Sequence, residues 1–248
     1  GAVTLVSAIG DDIHTPAMLR NFDRDGIDIG HIVRVSGVHS GTALVMFDTS
    51  GRNYLAVSPG ANYALTPEHV DACRQVIASS SMVILQMEIR DQTIERALQV
   101  AKEARVPVLF NWAPARASSL RIDSRMSVLV VNENEASSLT DIAVTDVASA
   151  TQAAGKLGRK GPRTLIVTLG AQGALVCEDG YSTIIPAFAV KAVDTTAAGD
   201  TFCGALGVAL AEGMSIEHAV RFASAAAAVS VTRVGAQPSI PTRDEIEE

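Results

Sequence analysis

The chain has 248 residues and a formal net charge of −7, with 48% hydrophobic, 19% charged and 4% aromatic residues. A typical domain is about 150 residues, so the length implies one large domain or one with a small appendage, and the apolar content excludes global disorder. The pI of about 5.2 goes with no basic stripe, which excludes an ordinary nucleic-acid binder. No apolar run reaches the ~18–20 residues of a membrane helix, and no leader is visible. Cys73, Cys177 and Cys203 are odd in number and form no C-x-x-C pair. They argue against a disulfide framework or a cysteine zinc site and suit a reducing cytoplasm. The chain opens at Gly1 straight into an apolar run, which implies a longer gene product.

Apolar β-rich runs occupy residues 3–8, 82–86, 106–110, 128–131 and 165–169. Continuous runs of this kind suit strands buried on both faces of a parallel sheet. Helical patterns fall between them. Residues 67–77 have Thr66 as N-cap and Pro67 at the first helical position. Residues 91–105 line Ile94, Leu98 and Ala101 on one face, and 145–157 form a third helix. The alternation predicts an α/β fold with helices on both faces of the sheet. Residues 32–35, 42–47 and 54–57 read as short strands of a small antiparallel patch, turning at Asp48-Thr49-Ser50-Gly51. Residues 173–176 and 181–185 form a second hairpin about Asp179-Gly180. Helices then follow at 199–211 and 216–231, the second rich in alanine.

The stretch Asp194-Thr195-Thr196-Ala197-Ala198-Gly199-Asp200 runs through small residues into a helix. Open amides at a helix N-terminus, with the dipole behind them, stabilise anionic oxygens. A carboxylate in that first turn, Asp200, could take a proton from an attacking hydroxyl; an ordinary acidic helix start reads the same way. Thr168-Leu169-Gly170-Ala171-Gln172-Gly173 follows a strand and could line a nucleotide, or simply turn the chain. Asn132 and Glu135, three apart, could order magnesium near phosphates, or form a helix capping box. Glu88 follows a strand end, where open α/β sheets bind ligands, or is a solvated loop acid. Trp112 lines a pocket or packs in the core. The histidines, His14, His31, His39, His69 and His218, show no metal-ligand spacing, and the cysteines read as core fillers. There is no Walker loop and no G-x-G-x-x-G.

These motifs resemble those of the ribokinase-like, or PfkB, carbohydrate kinase family, over essentially the whole chain. The resemblance is carried by Gly10-Asp11-Asp12, Pro59-Gly60-Ala61-Asn62, Leu85-Gln86-Met87-Glu88, Asn111 through Pro114 to Arg116, and Asn132 through Glu135. It continues through Val167-Thr168-Leu169-Gly170, the 194–200 run, and Gly235-Ala236-Gln237-Pro238-Ser239. The last segment favours the ribokinase branch over adenosine kinases and fructokinases. The resemblance implies a three-layer α/β/α fold with a mostly parallel central sheet. The kinase domain would be 1–30 with 58–248, and 31–57 a β-strand lid that also pairs two subunits into a homodimer. It implies ATP-dependent phosphorylation of a primary hydroxyl, D-ribose to D-ribose 5-phosphate; other readings are another sugar, a nucleoside, or a degenerate sugar- or nucleotide-binding sensor. It assigns Asp200 as base, Ala197, Ala198 and Gly199 as anion hole, and Asn132, Thr168, Gly170, Gly173, Gly199 and Ser224 to the nucleotide. Glu88 and Asp200 would contact sugar, and Glu135 would act on Mg2+ indirectly. Asp194, Thr196, Ser230, Arg233, Gly235 and Ser239 would hold an activating K+. Family members usually carry Gly at the position of Ala197, and proline at the positions of Arg90 and Trp112. A first βα unit and a glycine-rich sugar-binding segment would lie upstream of residue 1.

Overall fold

The computed structural model describes residues 1–47 and 53–248, without the side chains of 45–47 and 53–55. The turn expected at Asp48–Gly51 lies outside the described residues. The chain divides into two compact units.

The first unit comprises Gly1–Ser79, Met87–Ala104 and Ser118–Leu120. Its elements are β1 (Val3–Thr4), β2 (Ser7–Gly10), α1 (Thr15–Arg24), β3 (Ile27–Asp28), β4 (Ile32–Val35), β5 (Thr42–Phe47), β6 (Asn53–Ser58), α2 (Pro67–Ala72), α3 (Arg74–Ser79) and α4 (Asp91–Ala104). The apolar run at 3–8 is two strands rather than one. Its break falls where pairing changes partner, β1 running parallel to β3 and β2 parallel to β4. That pairing also corrects the antiparallel patch. Ile32–Val35 joins β2, and only β5 and β6 form an antiparallel hairpin. The helix read over 67–77 is two helices broken at Cys73, whose amide turns back to the Val70 carbonyl at 3.0 Å. No glycine or proline marks that break. The capping of its start is as read, Thr66 closing a box with His69. In α4, Ile94, Leu98 and Ala101 are fully buried, and Thr93 Oγ1 donates to the Leu65 carbonyl at 2.7 Å. Asp12 accepts the amides of Ser40 (2.6 Å), His14 (2.8 Å) and Thr15 (3.2 Å), and these donors hold its carboxyl far below the usual range. The Gly10-Asp11-Asp12 motif thus ties β2 to the chain after β4.

The second unit comprises Ser80–Gln86, Arg105–Ala117 and Arg121–Glu248. Its sheet contains β7 (Val83–Leu85), β8 (Val108–Asn111), β9 (Val128–Asn132), β10 (Thr164–Thr168), β11 (Ala174–Glu178) and β12 (Tyr181–Ile185), in the order β12-β11-β10-β9-β8-β7. The strands β7 to β10 are parallel and the last two pairings antiparallel. The helices are α5 (Glu133–Thr140), α6 (Val147–Gly158), α7 (Ala198–Ala211), α8 (Ile216–Ser230) and α9 (Arg243–Glu247). One sheet face presents Leu109, Val128, Val130, Ile166 and Val176 to Phe202, Cys203 and Leu206 of α7 and Ala219, Val220 and Ala223 of α8. The opposite parity, Leu129, Val131, Leu165 and Val167, is also fully or almost fully buried, and α5 and α6 pack against β9, β10 and β11. This is the α/β class expected. The exceptions to two-sided burial are the edge strands, β7, where Ile84 is 40% exposed, and β12, where Tyr181 is 81% exposed. The alanines on α8 bring its backbone close to α7, with Ala219, Ala223 and Ala226 at 0% exposure.

Candidate active site

The site grows from the carboxyl ends of two parallel strands. Asn132 ends β9 and Thr168 ends β10, and they are direct register partners. Such strand ends are where open α/β sheets place ligands. Asn132 then caps α5. Its Oδ1 accepts the Glu135 amide at 2.9 Å, while its own amide donates to Glu135 Oε2 at 2.8 Å and Nδ2 to Oε1 at 3.0 Å. Both carboxylate oxygens of Glu135 therefore have donors within the box. Glu135 is only 4% exposed, and loss of water pushes its pKa up to about 7 against the pull of the Asn132 donors.

After Thr168 the chain makes a tight turn, with Leu169 N donating to the Gly173 carbonyl at 2.8 Å. Gly173 takes φ +104°, and a Cβ there would lie 2.1 Å from the Ile185 carbonyl oxygen. Only glycine fits. Gly170, at φ +51°, has Glu133 as its nearest neighbour, 3.9 Å from where a Cβ would sit. The Thr168–Gly173 turn and the Asn132–Glu135 box are thus adjacent; Gly170 leaves backbone open beside them, while Gly173 is closed against Ile185, Pro186 and Ala187.

The second part is the entry to α7. Asp194 Oδ1 accepts the Thr196 amide at 2.9 Å and Oδ2 the Gly235 amide at 2.9 Å; the Thr196 hydroxyl first, and then these amides, lower its pKa. The Val231 carbonyl accepts from Val193 N (2.7 Å) and Asp194 N (3.2 Å). Ala197 stands at φ +60°, ψ +11°, and its carbonyl accepts the Thr201 amide at 2.8 Å. The left-handed residue turns the chain sharply into the helix. The Ala198 amide is taken at 3.3 Å by the Thr195 carbonyl. Among the described residues no acceptor meets the amides of Gly199 and Asp200, the open donors in the first turn of the helix, and none meets the Ala197 amide before it.

Asp200 is exposed, yet the protein behind its carboxyl removes enough water to raise its pKa. Cys203, one turn on, is buried, and its thiol is pushed up to about 12 by burial and then by the charges of Asp200 and Glu135. Both carboxylates therefore act on one point of the α7 core face. The hydroxyl of Thr201 is buried and has no partner among the described residues.

The loop after α8 gathers the remaining residues. Arg233 N donates to the Ser230 carbonyl at 3.0 Å, and Ser239 N and Oγ both reach the Ala236 carbonyl. Ser230 and Ser239 are fully buried. Arg233 sends its guanidinium to Glu245, at 2.6 Å from Oε1, so only its carbonyl is left to face a cation. Asp194 thus bonds Thr196 and Gly235, Arg233 bonds Ser230, the Val231 carbonyl joins the two groups through Asp194, and Ser239 lies on the same loop. Ser224 is half-buried in the middle of α8, seven residues before Val231. Glu88 belongs to the first unit and is exposed. Trp112 is a core residue, 4% exposed, with its ring 5.5 Å from that of Phe110. Arg90 lies over the Tyr63 ring at 4.9 Å and donates to the Tyr63 carbonyl at 2.9 Å.

Three features escape the sequence. The contact of Arg233 with Glu245 joins residues twelve apart with no periodic signal. The orphan Thr201 hydroxyl reads as an ordinary helical threonine. The Asp194–Gly235 bond spans 41 residues, although the acid and the glycine are each visible in their motifs.

The profile described as pfkB family carbohydrate kinase matches residues 1–243. The ribokinase of Haemophilus influenzae is 42% identical over 243 residues, which is 98% of this chain and 79% of that protein. A solved ribokinase from Thermotoga maritima superposes with a TM-score of 0.87 at 38% identity, covering 98% of this chain and 80% of its own. The Arabidopsis thaliana ribokinase complexed with ribose and ATP superposes with a TM-score of 0.89 at 30% identity, covering 99% and 81%.

Proposed function

The chain belongs to the pfkB family of carbohydrate kinases, and from that premise we propose that it phosphorylates D-ribose with ATP to give D-ribose 5-phosphate. That it is a phosphotransferase with an alcohol group as acceptor follows from the family itself. The choice of ribose rests on likeness to the ribokinases, one of which is complexed with ribose and ATP.

The observation that carries the chemistry is the first turn of α7. It sets an exposed carboxylate of raised proton affinity, Asp200, beside two open backbone donors at the positive end of a helix. Asp200 takes the proton of the sugar's primary hydroxyl as that oxygen attacks the γ-phosphorus in line. The bond from the γ-phosphorus to the bridging oxygen breaks, and ADP leaves with its electron pair. The Gly199 and Asp200 amides receive charge from the transferring oxygens. Most of the rate then comes from positioning and preorganised dipoles.

Asn132, Thr168, Gly170, Gly173 and Ser224 are assigned to the nucleotide. The backbone left open at Gly170, beside the Asn132–Glu135 box, supports this. Magnesium would neutralise phosphate charge. The donor set fits indirect contact, because both Glu135 oxygens already accept from Asn132 and water can carry the link. A potassium ion would add a fixed positive charge behind the anion-binding turn. Hard, weakly charged oxygens suit it: the Asp194 carboxylate, the Thr196, Ser230, Arg233 and Gly235 carbonyls, and Ser239. Glu88 is assigned to the sugar by family likeness alone.

Residues 31–57 are assigned as the lid. The β5–β6 hairpin exposes Leu44 (60%) and Val57 (55%), which the register places on opposite faces. One apolar face supports closure over the sugar and the other a homodimer.

ADP release tests the reading, with ATP and magnesium, offering ribose, fructose and adenosine, with and without potassium. Potassium-stimulated turnover on ribose is the expected result. Turnover on fructose or adenosine instead would overturn the choice of sugar. Asp200→Asn should lose about 10²–10⁴ in kcat with the fold intact; unchanged turnover would refute the assignment of the base.

A further inference from the structure

The loop between α8 and α9 has two attachments. At one end the Gly235 amide holds Asp194 Oδ2 at 2.9 Å. At the other, Arg233 grips α9. Its Nη2 lies 2.6 Å from Glu245 Oε1 and its Nη1 3.3 Å from Oε2. Glu245 Oε2 also accepts the Thr242 amide at 2.8 Å and the Thr242 hydroxyl at 3.1 Å, closing the capping box of α9. The arginine that opens α9, Arg243, donates to Glu212 Oε2 at 2.6 Å, just beyond the other end of α7. The short last helix is thus fastened both to the residue that ends α7 and to the loop that orients its start.

We propose that Glu245 is a positioning residue: by gripping Arg233 it fixes the loop whose Gly235 amide orients Asp194, and through Asp194 and Thr196 it fixes the anion-binding turn at Ala197–Asp200. The catalytic meaning of this rests on the kinase reading above; the mechanical link does not. Each step is a bond: Glu245 to Arg233, two residues of chain to Gly235, Gly235 to Asp194, and Asp194 to the Thr196 amide at 2.9 Å. A lone exposed ion pair contributes little. This one is different in kind, because the guanidinium fork meets both oxygens and the same carboxylate is pinned by a cap. The two side chains are 34% and 41% exposed, so the pair is half shielded from solvent.

The test uses Glu245→Gln and Arg233→Lys in the full chain. Glutamine can still complete a capping box, so the first variant removes the charge and spares the helix start. Lysine keeps the charge and loses the fork. Glu247→Gln is the control, since among the described residues Glu247 pairs only with Arg243, at 3.8 Å. Hydrogen exchange is followed across residues 193–199 and 231–236, together with ADP release in the presence of ribose. Both variants should speed exchange at Thr196 and Gly235 and lower kcat by about threefold to tenfold, with the KM for ribose unchanged. Glu247→Gln should change neither. Exchange across 193–199 that is unaltered in Glu245→Gln would overturn the proposal. So would an equal acceleration in Glu247→Gln, which would mean that loosening α9 in any way suffices. A parent protein that phosphorylates no sugar would sink the kinase reading, and the exchange results would still decide the link.

Discussion

Ala197 offers the sharpest test of the physical reading of the site. It stands at φ +60°, ψ +11°, the left-handed region, at the residue that turns the chain into α7. An L-residue with a Cβ pays roughly 1–2 kcal/mol there. Ala197→Gly releases that strain and keeps the bond from the Thr201 amide to the residue 197 carbonyl. Two terms oppose it. Glycine frees the unfolded chain, at about 0.5–1 kcal/mol. Losing a half-buried methyl forfeits about 0.4 kcal/mol. The net is a small stabilisation, about 0–1 kcal/mol. At about 2–4 °C per kcal/mol for a chain of this size, Tm should rise by roughly 0–4 °C. The contrast with a matched site is larger. Ala225 is half-buried in the middle of α8, in right-handed helix. Ala225→Gly should cost about 1 kcal/mol, because only the opposing terms act. Guanidinium unfolding of both variants, with m-values held equal, measures the difference. Equal losses at the two positions would refute the claim that Ala197 is strained.

Two further outcomes follow from the same geometry. Glu135 has its pKa raised from 4.5 to about 7, so the folded state holds a proton that the unfolded state releases. Its contribution to stability is present below pH 4.5 and is lost as pH rises to about 7. Glu135→Gln should therefore flatten the pH dependence of Tm across that window and gain on the parent above it; parallel Tm curves would contradict the burial argument. Gly173→Ala would force a Cβ to within 2.1 Å of the Ile185 carbonyl at φ +104°. It should cost more than about 2 kcal/mol and raise the KM for ATP, and a variant with parental Cm and KM would show that this turn is plastic.

Much of the second unit is legible in the sequence because its strands are continuous β-branched and leucine runs. Those at 128–131 and 165–169 are placed to within a residue of Val128–Asn132 and Thr164–Thr168. The Asn132–Glu135 box is legible as well, since three-residue spacing after a strand is a local rule. What is not legible depends on partners distant in sequence. The split at 3–8 reflects two different pairing strands, and the break at Cys73 comes without glycine or proline. The left-handed state of Ala197 cannot be read from alanine, which disfavours it. The grip of Arg233 on Glu245 is likewise a tertiary fact, although the Thr242-x-x-Glu245 cap beside it has a local signature.

The position of Cys203 has a consequence for chemical damage. Peroxide and alkylating reagents attack thiolates, and a buried thiol held at about 12 is almost never a thiolate at neutral pH. Burial does most of this, and the nearby charges of Asp200 and Glu135 add to it. A cysteine one turn from Asp200, the proposed base, is thereby spared oxidation.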